Sequence, residues 1–168
     1  MPWSAGKPDP DLVRLVSESR IPRGQAVDLG TGPGHDAVFL IQQGFDVVGV
    51  DISLTAVKLA RQNASSHGLF AFFQSSDIRK LRIEDQFADF INDRGCFHTL
   101  PKEDWPLALT EIVRITKLRA LFLLKVFLEH RSEVEKLMAS AFTILEGWEG
   151  IFEGPAKPKS YTFFMRKK

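Results

Sequence analysis

The chain is expected to adopt an α/β fold, a doubly wound and mostly parallel sheet with helices on both faces. Three observations lead there. Apolar runs of strand length alternate with amphipathic stretches of helix length from residue 25 onward, the pattern of strand–helix–strand units joined by right-handed crossovers. A glycine cluster, VDLGTGPGHDA (residues 27–37), follows the first strand directly. The last two strand-like stretches are separated only by the turn-rich EGPAKPK, and two strands joined without a helix pair antiparallel.

Each element has a local cause. In PDLVRLVSES, Leu12, Leu15 and Val16 share a helical face, Asp9 is placed to cap it and Pro10 fits its first turn. Ile21-Pro22-Arg23-Gly24 ends it. A strand over Gln25 to Leu29 leads through the glycine turn into the helix HDAVFLIQQ, which Gly44 stops before a second strand, FDVVGVDI. Ser53 is a suitable cap for LTAVKLARQNASSH, whose apolar face holds Leu54, Val57, Leu59 and Ala60. Gly68 ends that helix, LFAFFQ is the third strand, and the charged DIRKLRIEDQ precedes the fourth, FADFIND. After the loop RGCFHTLPK comes the helix DWPLALTEIVRIT, where Pro106 is tolerated only in the first turn. ALFLLKVFL is the fifth strand. In the helix SEVEKLMASAF, Val134, Leu137, Met138 and Ala141 form one face, and strands near ILEGWEG and KSYTFFMR close the sheet. Residues 1–168 read as a single domain, with 1–20 an N-terminal segment and helix and 21–168 the core.

Composition narrows the function classes. A chain of 168 residues builds one substantial core. Hydrophobic content of 44% and charged content of 26% are ordinary for a globular protein. A net charge of +1 leaves no footprint for nucleic acid or an anionic membrane, and the terminal RKK reads as a solvated end. Cys96 is the only cysteine, which excludes an intrachain disulfide and argues against a Cys-built metal site. MPWSAGKPDPD lacks the basic and apolar regions of a signal peptide. The apolar run ALFLLKVFL is too short to span a bilayer and contains Lys125. The expectation is a cytoplasmic monomer or homodimer with a small-molecule partner, and neither a nucleic acid nor a membrane.

Gly30, Gly32 and Gly34 recur at alternate positions directly after a strand. Glycine turns the backbone sharply and lets it lie close to a ligand, at a cost in conformational entropy. Ligands of open α/β sheets bind beyond the carboxyl ends of the strands, where the winding reverses. A dinucleotide turn reads G-x-G-x-x-G and holds its pyrophosphate on a helix N-terminus. This turn reads G-x-G-x-G, and Asp28 stands two residues before it. That acid repels a pyrophosphate and attracts an ammonium or a sulfonium, so the expected ligand is cationic and free of phosphate.

With those residues the sequence resembles the class I S-adenosylmethionine-dependent methyltransferases over nearly its whole length. The resemblance implies the Rossmann-like seven-stranded methyltransferase sheet, mostly parallel with the last strand antiparallel. VDLGTGPG resembles the family's first motif, implying that Asp28, Leu29, Gly30, Thr31, Gly32 and Gly34 pass under the cofactor. GVDIS resembles the second, implying that Asp51, flanked by Ile52 and Ser53, accepts hydrogen bonds from both ribose hydroxyls, as a carboxylate is able to do. SSDIRKL resembles the third, implying Asp77 at the adenine amino group and Ile78 on the ring. FADFINDRG resembles the fourth, implying Asp93 at the methionine end. Plainer readings stand beside these: Asp28 as a helix cap, Asp51 as a turn residue, Asp77 as one more loop acid. Asp89, inside strand four, reads as structural.

DRGCFHTLP and PWSAGKPDPDLV narrow the likeness to a small bacterial and archaeal branch related to thiopurine S-methyltransferases and tellurite-resistance methyltransferases. That branch methylates sulfur, selenium, tellurium or halide nucleophiles. It implies a lid formed by Trp3 and the residues to Lys7, the alternative being an exposed, frayed terminus. The chain departs from the pattern at ITKLRAL, where a Pro-Gly-Gly turn before strand five is usual.

Methyl transfer from a sulfonium is an in-line displacement in which the protein chiefly aligns the reactants and excludes water. A soft nucleophile ionised near neutral pH needs no general base, whereas an oxygen or amine acceptor usually does. The catalytic candidates are Asp93, Arg94 and His98. His98 is a base, a substrate contact or a cap for the helix near Pro101; Arg94 holds an anionic acceptor or pairs with an acid. Phe97, Phe127, Trp148 and Phe152 wall an acceptor pocket or belong to the core. Two other classes remain open at this point. One is a cofactor-binding protein without turnover. The other is a macromolecular methyltransferase, which lacks support because no Asn/Asp-Pro-Pro-aromatic signature follows strand four. A nicotinamide oxidoreductase is disfavoured by the glycine spacing.

Overall fold

The computed structural model describes residues 6–168. Seven strands lie in one sheet: β1 (Gln25–Leu29), β2 (Asp46–Asp51), β3 (Phe72–Ser75), β4 (Ala88–Arg94), β5 (Thr116–Phe127), β6 (Phe142–Ile151) and β7 (Lys159–Lys167). Their order is β3-β2-β1-β4-β5-β7-β6. The first five are mutually parallel, and β7 inserts between β5 and β6, antiparallel to both. The winding therefore reverses between β1 and β4, and the crevice at their carboxyl ends is the topological switch point.

Two layers cover the sheet because the central strands β1, β4, β5 and β7 bury both faces. Helices α1 (Pro10–Ser17), α2 (His35–Gln42) and α3 (Leu54–Ser66) pack on one side against Ala26, Phe90, Leu121, Leu123 and Phe164. On the other side, α4 (Trp105–Ile115) and α5 (Arg131–Met138) pack against Val27, Leu29, Ile91, Phe122, Leu124 and Phe163. The caps follow the sequence: the Asp9 carboxylate accepts from the Asp11 amide ahead of Pro10, and the Ser53 hydroxyl accepts from the Ala56 amide. Among the described residues no helix is long and apolar enough to cross a membrane.

Element boundaries differ where tertiary pairing overrides local pattern. The apolar run from Leu69 reads as strand, yet only Phe72–Ser75 finds a partner, in β2, and Phe70 stands almost fully exposed. The last helix stops at Met138 because Phe142 is drawn into β6 and buried. β5 begins at Thr116 rather than Ala120, so α4 runs directly into it. In place of a Pro-Gly-Gly turn, Arg119 takes a positive φ of 65°, and the pairing with β4 shifts register between Ala88 and Phe90.

Candidate active site

A cleft of about 670 Å³ opens at the switch point. Asp28, Gly30, Thr31, Gly32, Asp51, Ile52, Asp77, Ile78, Arg94, His98 and Phe127 line it together, which is most of the residues singled out from the sequence. Asp36, Cys96, Leu100, Phe152 and residues of the β6–β7 loop between Glu153 and Pro158 are among the other residues that line it.

The three glycines of the turn serve three different ends. Gly30 has φ +66°, and a Cβ there would sit 2.5 Å from the Cβ of Cys96, so the turn closes against the loop after β4. Gly34, the N-cap of α2, presses on Ala60 of α3, 3.0 Å from where its Cβ would stand. Only Gly32 faces open space; its nearest neighbour is the Gly30 carbonyl at 3.9 Å. Gly30→Ala is therefore expected to lose about 3 kcal/mol of stability, from left-handed strain and overpacking. Gly32→Ala should cost about 1 kcal/mol in stability but abolish ligand binding. Thermal melts and titration calorimetry on both variants check this, and the opposite ordering would overturn the assignment of Gly32 to the ligand.

At the end of β2 the Asp51 carboxylate accepts from the Gly32 amide at 2.9 Å and the Ser53 amide at 2.8 Å. Each oxygen keeps a lone pair for a further donor in the cleft. Ser53 itself is exposed and serves as the α3 cap, outside the cleft lining. Asp77 lines the cleft, but its carboxylate is already engaged by Arg79, which also reaches Asp104, and this ion pairing holds Asp77 below its usual pKa. Ile78 offers an apolar side chain at the wall.

Beneath the glycine turn lies a polar stripe on the α1–α3 face of the sheet. Asp28 of β1 is opposite Asn92 of β4, and Lys125 of β5 is opposite both Arg94 and Thr162. The Asn92 amide donates to Asp28 at 2.8 Å and to Asp36 of α2 at 3.3 Å. The Thr31 hydroxyl donates to the other Asp28 oxygen at 2.6 Å. Lys125 is bound by Asp9 at 2.9 Å and Asp11 at 3.0 Å, which the start of α1 brings down onto it. Arg94 lies 3.3 Å from the same Asp9. Burial first, and charge repulsion second, raise the pKa of Asp28 to about 7 and push that of Asp36 upward as well. Asp36, Asn92 and Lys125 escaped the sequence reading. A lysine in the middle of ALFLLKVFL was the available signal, since a lysine buried in a strand requires acidic partners.

The far end of the cleft is aromatic. His98 lies with its ring 4.2 Å from Phe127 and 5.6 Å from Phe152, centroid to centroid, and its Nδ1 has no hydrogen-bond partner among the described residues. Burial, then the neighbouring His130, push its pKa down to about 4, so it is neutral at neutral pH. It caps no helix. The Arg94 guanidinium donates to the Glu153 carbonyl at 3.3 Å, and its buried Nε makes no hydrogen bond to the described residues.

Several sequence expectations are corrected. Asp93 does not reach the cleft: it is fully buried and accepts from the Cys96 and Phe97 amides, shaping the loop after β4, with burial raising its pKa to about 7. Phe97 packs in the core on Trp105 instead of walling the cleft. Trp148 donates to Asp11 and stacks under Arg14, away from the site. Leu29 is a core residue under the turn. Trp3 lies outside the described residues; Lys7, at the other end of the expected lid, pairs with Glu153 at 3.1 Å.

The donor set fits a nucleoside that carries positive charge and no phosphate: an acid with spare lone pairs at Asp51, open glycine backbone at Gly32, and buried acids at Asp28 and Asp36.

Comparison with known proteins agrees. Residues 26–118, more than half the chain, match the methyltransferase domain family. The chain is 33% identical over 103 residues to the 2-heptyl-1-hydroxyquinolin-4(1H)-one methyltransferase of Mycobacteroides abscessus, covering 61% of this chain and 45% of that one. It is 40% identical over 98 residues to the probable thiol methyltransferase 2 of Arabidopsis thaliana, covering 57% and 43%. The chain thus spans less than half the length of these curated relatives. A solved structure from work on the conversion of a disulfide bond into a thioacetal group during echinomycin biosynthesis superposes with a TM-score of 0.90 at 23% identity, covering 100% of this chain and 85% of that one. This chain belongs to the methyltransferase domain family, among the class I S-adenosylmethionine-dependent methyltransferases.

Proposed function

We propose that this protein transfers the methyl group of S-adenosylmethionine to a small, soft nucleophile, a thiol, chalcogen oxyanion or halide, with a thiol the first to test. The observation that carries the reading is that one cleft joins an acid-floored glycine turn to an aromatic pocket holding Arg94 and a neutral histidine, His98. The bound cofactor supplies an electrophilic methyl on a sulfonium with a neutral thioether leaving group.

The chain's own residues do the rest. Asp51 accepts from the ribose hydroxyls while fixing the glycine turn through the Gly32 amide. Ile78 and Leu100 give the adenine an apolar seat. Asp28 and Asp36 supply negative charge beneath the cationic portion. Arg94 orients an anionic acceptor, and Phe127, Phe152 and His98 exclude water around it. A histidine with a pKa near 4 is a poor general base at neutral pH. That suits an acceptor which arrives ionised, as thiols of lowered pKa and chalcogen oxyanions do. The thiol methyltransferase among the relatives supports the same class.

Calorimetry with S-adenosylmethionine, S-adenosylhomocysteine and NAD should show binding of the first two alone. Methyl-labelled cofactor is then offered with thiols, sulfide, halides and oxyanions of selenium, tellurium and arsenic; label is expected in the thiol product. Binding of NAD alone would overturn the cofactor assignment, and label reaching none of these acceptors would overturn the acceptor class.

A further inference from the structure

We infer that Asp28 and Asp36, bridged by the Asn92 amide, hold one shared proton in the ligand-free protein and release it when S-adenosylmethionine binds, so that cofactor binding is proton-coupled and strengthens as pH rises. This rests on the proposed function above.

The geometry is that of a charge imbalance. Lys125 is buried and Arg94 half-buried along the polar stripe, and both are claimed elsewhere: Lys125 by Asp9 and Asp11, Arg94 by Asp9 and the Glu153 carbonyl. Among the described residues, Asp28 and Asp36 are left with neutral hydrogen-bond donors only. The Asn92 amide serves both, the Thr31 hydroxyl serves Asp28, and the Asp9 backbone amide serves Asp36 at 2.7 Å. Both carboxyls are buried, and both line the cleft. Two buried like charges without a cation resist ionising together, so one keeps its proton to a higher pH than a free carboxyl does.

The charged and titratable groups facing the pair are these. Asp36 raises Asp28 most after burial, and Asp93 adds a smaller push. Asp9 raises Asp36, while Arg94 lowers it. His35, the neighbour of Asp36 on α2, has its own pKa lowered by burial and adds no charge at neutral pH. A positively charged ligand in the cleft supplies the missing cation, lowers the pKa of the pair and expels the proton. Below the free-state pKa, binding therefore competes with protons; above it, the pair is already ionised and the pH dependence vanishes. Asn92 is a positioning residue, holding the two acids at one amide.

The test is calorimetric titration of the full chain with S-adenosylmethionine, acceptor omitted, in phosphate and in imidazole. The difference in observed enthalpy between two buffers of unlike ionisation enthalpy counts protons. At about pH 6, release approaching about one proton per ligand is expected, with almost none at about pH 8.5, and affinity rising by up to about tenfold per pH unit in the acidic range. Asp28→Asn keeps an acceptor for Asn92 and places its amide toward Thr31; it should bind more weakly, since one negative charge is gone, with proton release largely lost. Should it fail to fold, Asp36→Asn and the buffer series on the unaltered protein give the same readout. Tight binding without proton release at about pH 6, or full release retained in Asp28→Asn, would overturn this inference and leave the proposed function standing. No binding at any pH would overturn both.

Discussion

Lys125→Met is expected to lower stability by about 3–5 kcal/mol, the cost of removing one partner from a buried ion pair and leaving the other uncompensated. Lys125 is buried and is the shared partner of Asp9 and Asp11. Those acids belong to the cap and first turn of α1, and Asp11 also accepts from the Trp148 indole and the Thr162 hydroxyl. Without the ammonium, Arg94 remains near Asp9, but Asp11 keeps only neutral donors. The helix should come away from β5 and β7, since its docking is organised around this charge. In a chain of this size each kcal/mol moves the melting temperature by about 2–4 °C, so a drop on the order of 10 °C is expected by calorimetry or circular dichroism. Adding Asp11→Asn should recover part of it. A loss below about 1 kcal/mol would mean that the pair contributes no more than a surface one does.

Asp51→Ala is expected to weaken cofactor binding roughly 100-fold, about 3 kcal/mol, with little change in stability. Its side chain is only partly buried and anchors two backbone amides. Removing it takes away a charged acceptor for ligand hydroxyls and frees the Gly32 amide, so the turn loses its fixed position as well. Asp51→Asn keeps one acceptor oxygen and should fall between. Titration with S-adenosylhomocysteine measures it; an affinity within about threefold of the unaltered protein would remove Asp51 from the ribose site.

The residues legible beforehand share a property. Asp51, Gly32 and Ile78 are placed by short-range rules, Asp51 as the last residue of its strand and the other two three residues past theirs, and the strands announce themselves as apolar runs. Where a strand ends, the cleft begins, so counting along the chain finds them. Asp93, one residue before the end of β4, has a similar place on its strand and still misses the cleft, because the loop after β4 folds back and its amides capture the carboxylate. Spacing alone does not separate an acid that faces a ligand from one that caps its own loop. Phe97 and Trp148 fail for a related reason: an aromatic side chain next to a site is as easily turned into the core.

By itself the sequence determined the alternation of strand and helix, the antiparallel closing pair and the glycine turn beside an acid, all set by periodicity, caps and φ preferences within a few residues. Only the tertiary structure decided the polar stripe. Asp9, Asp36, Asn92 and Lys125 stand far apart in the chain, and each is costly to bury alone. They are tolerated because β1, β4 and β5 lie side by side and α1 and α2 close over them. Pairing across strands is a property of the assembled sheet, and no local pattern carries it.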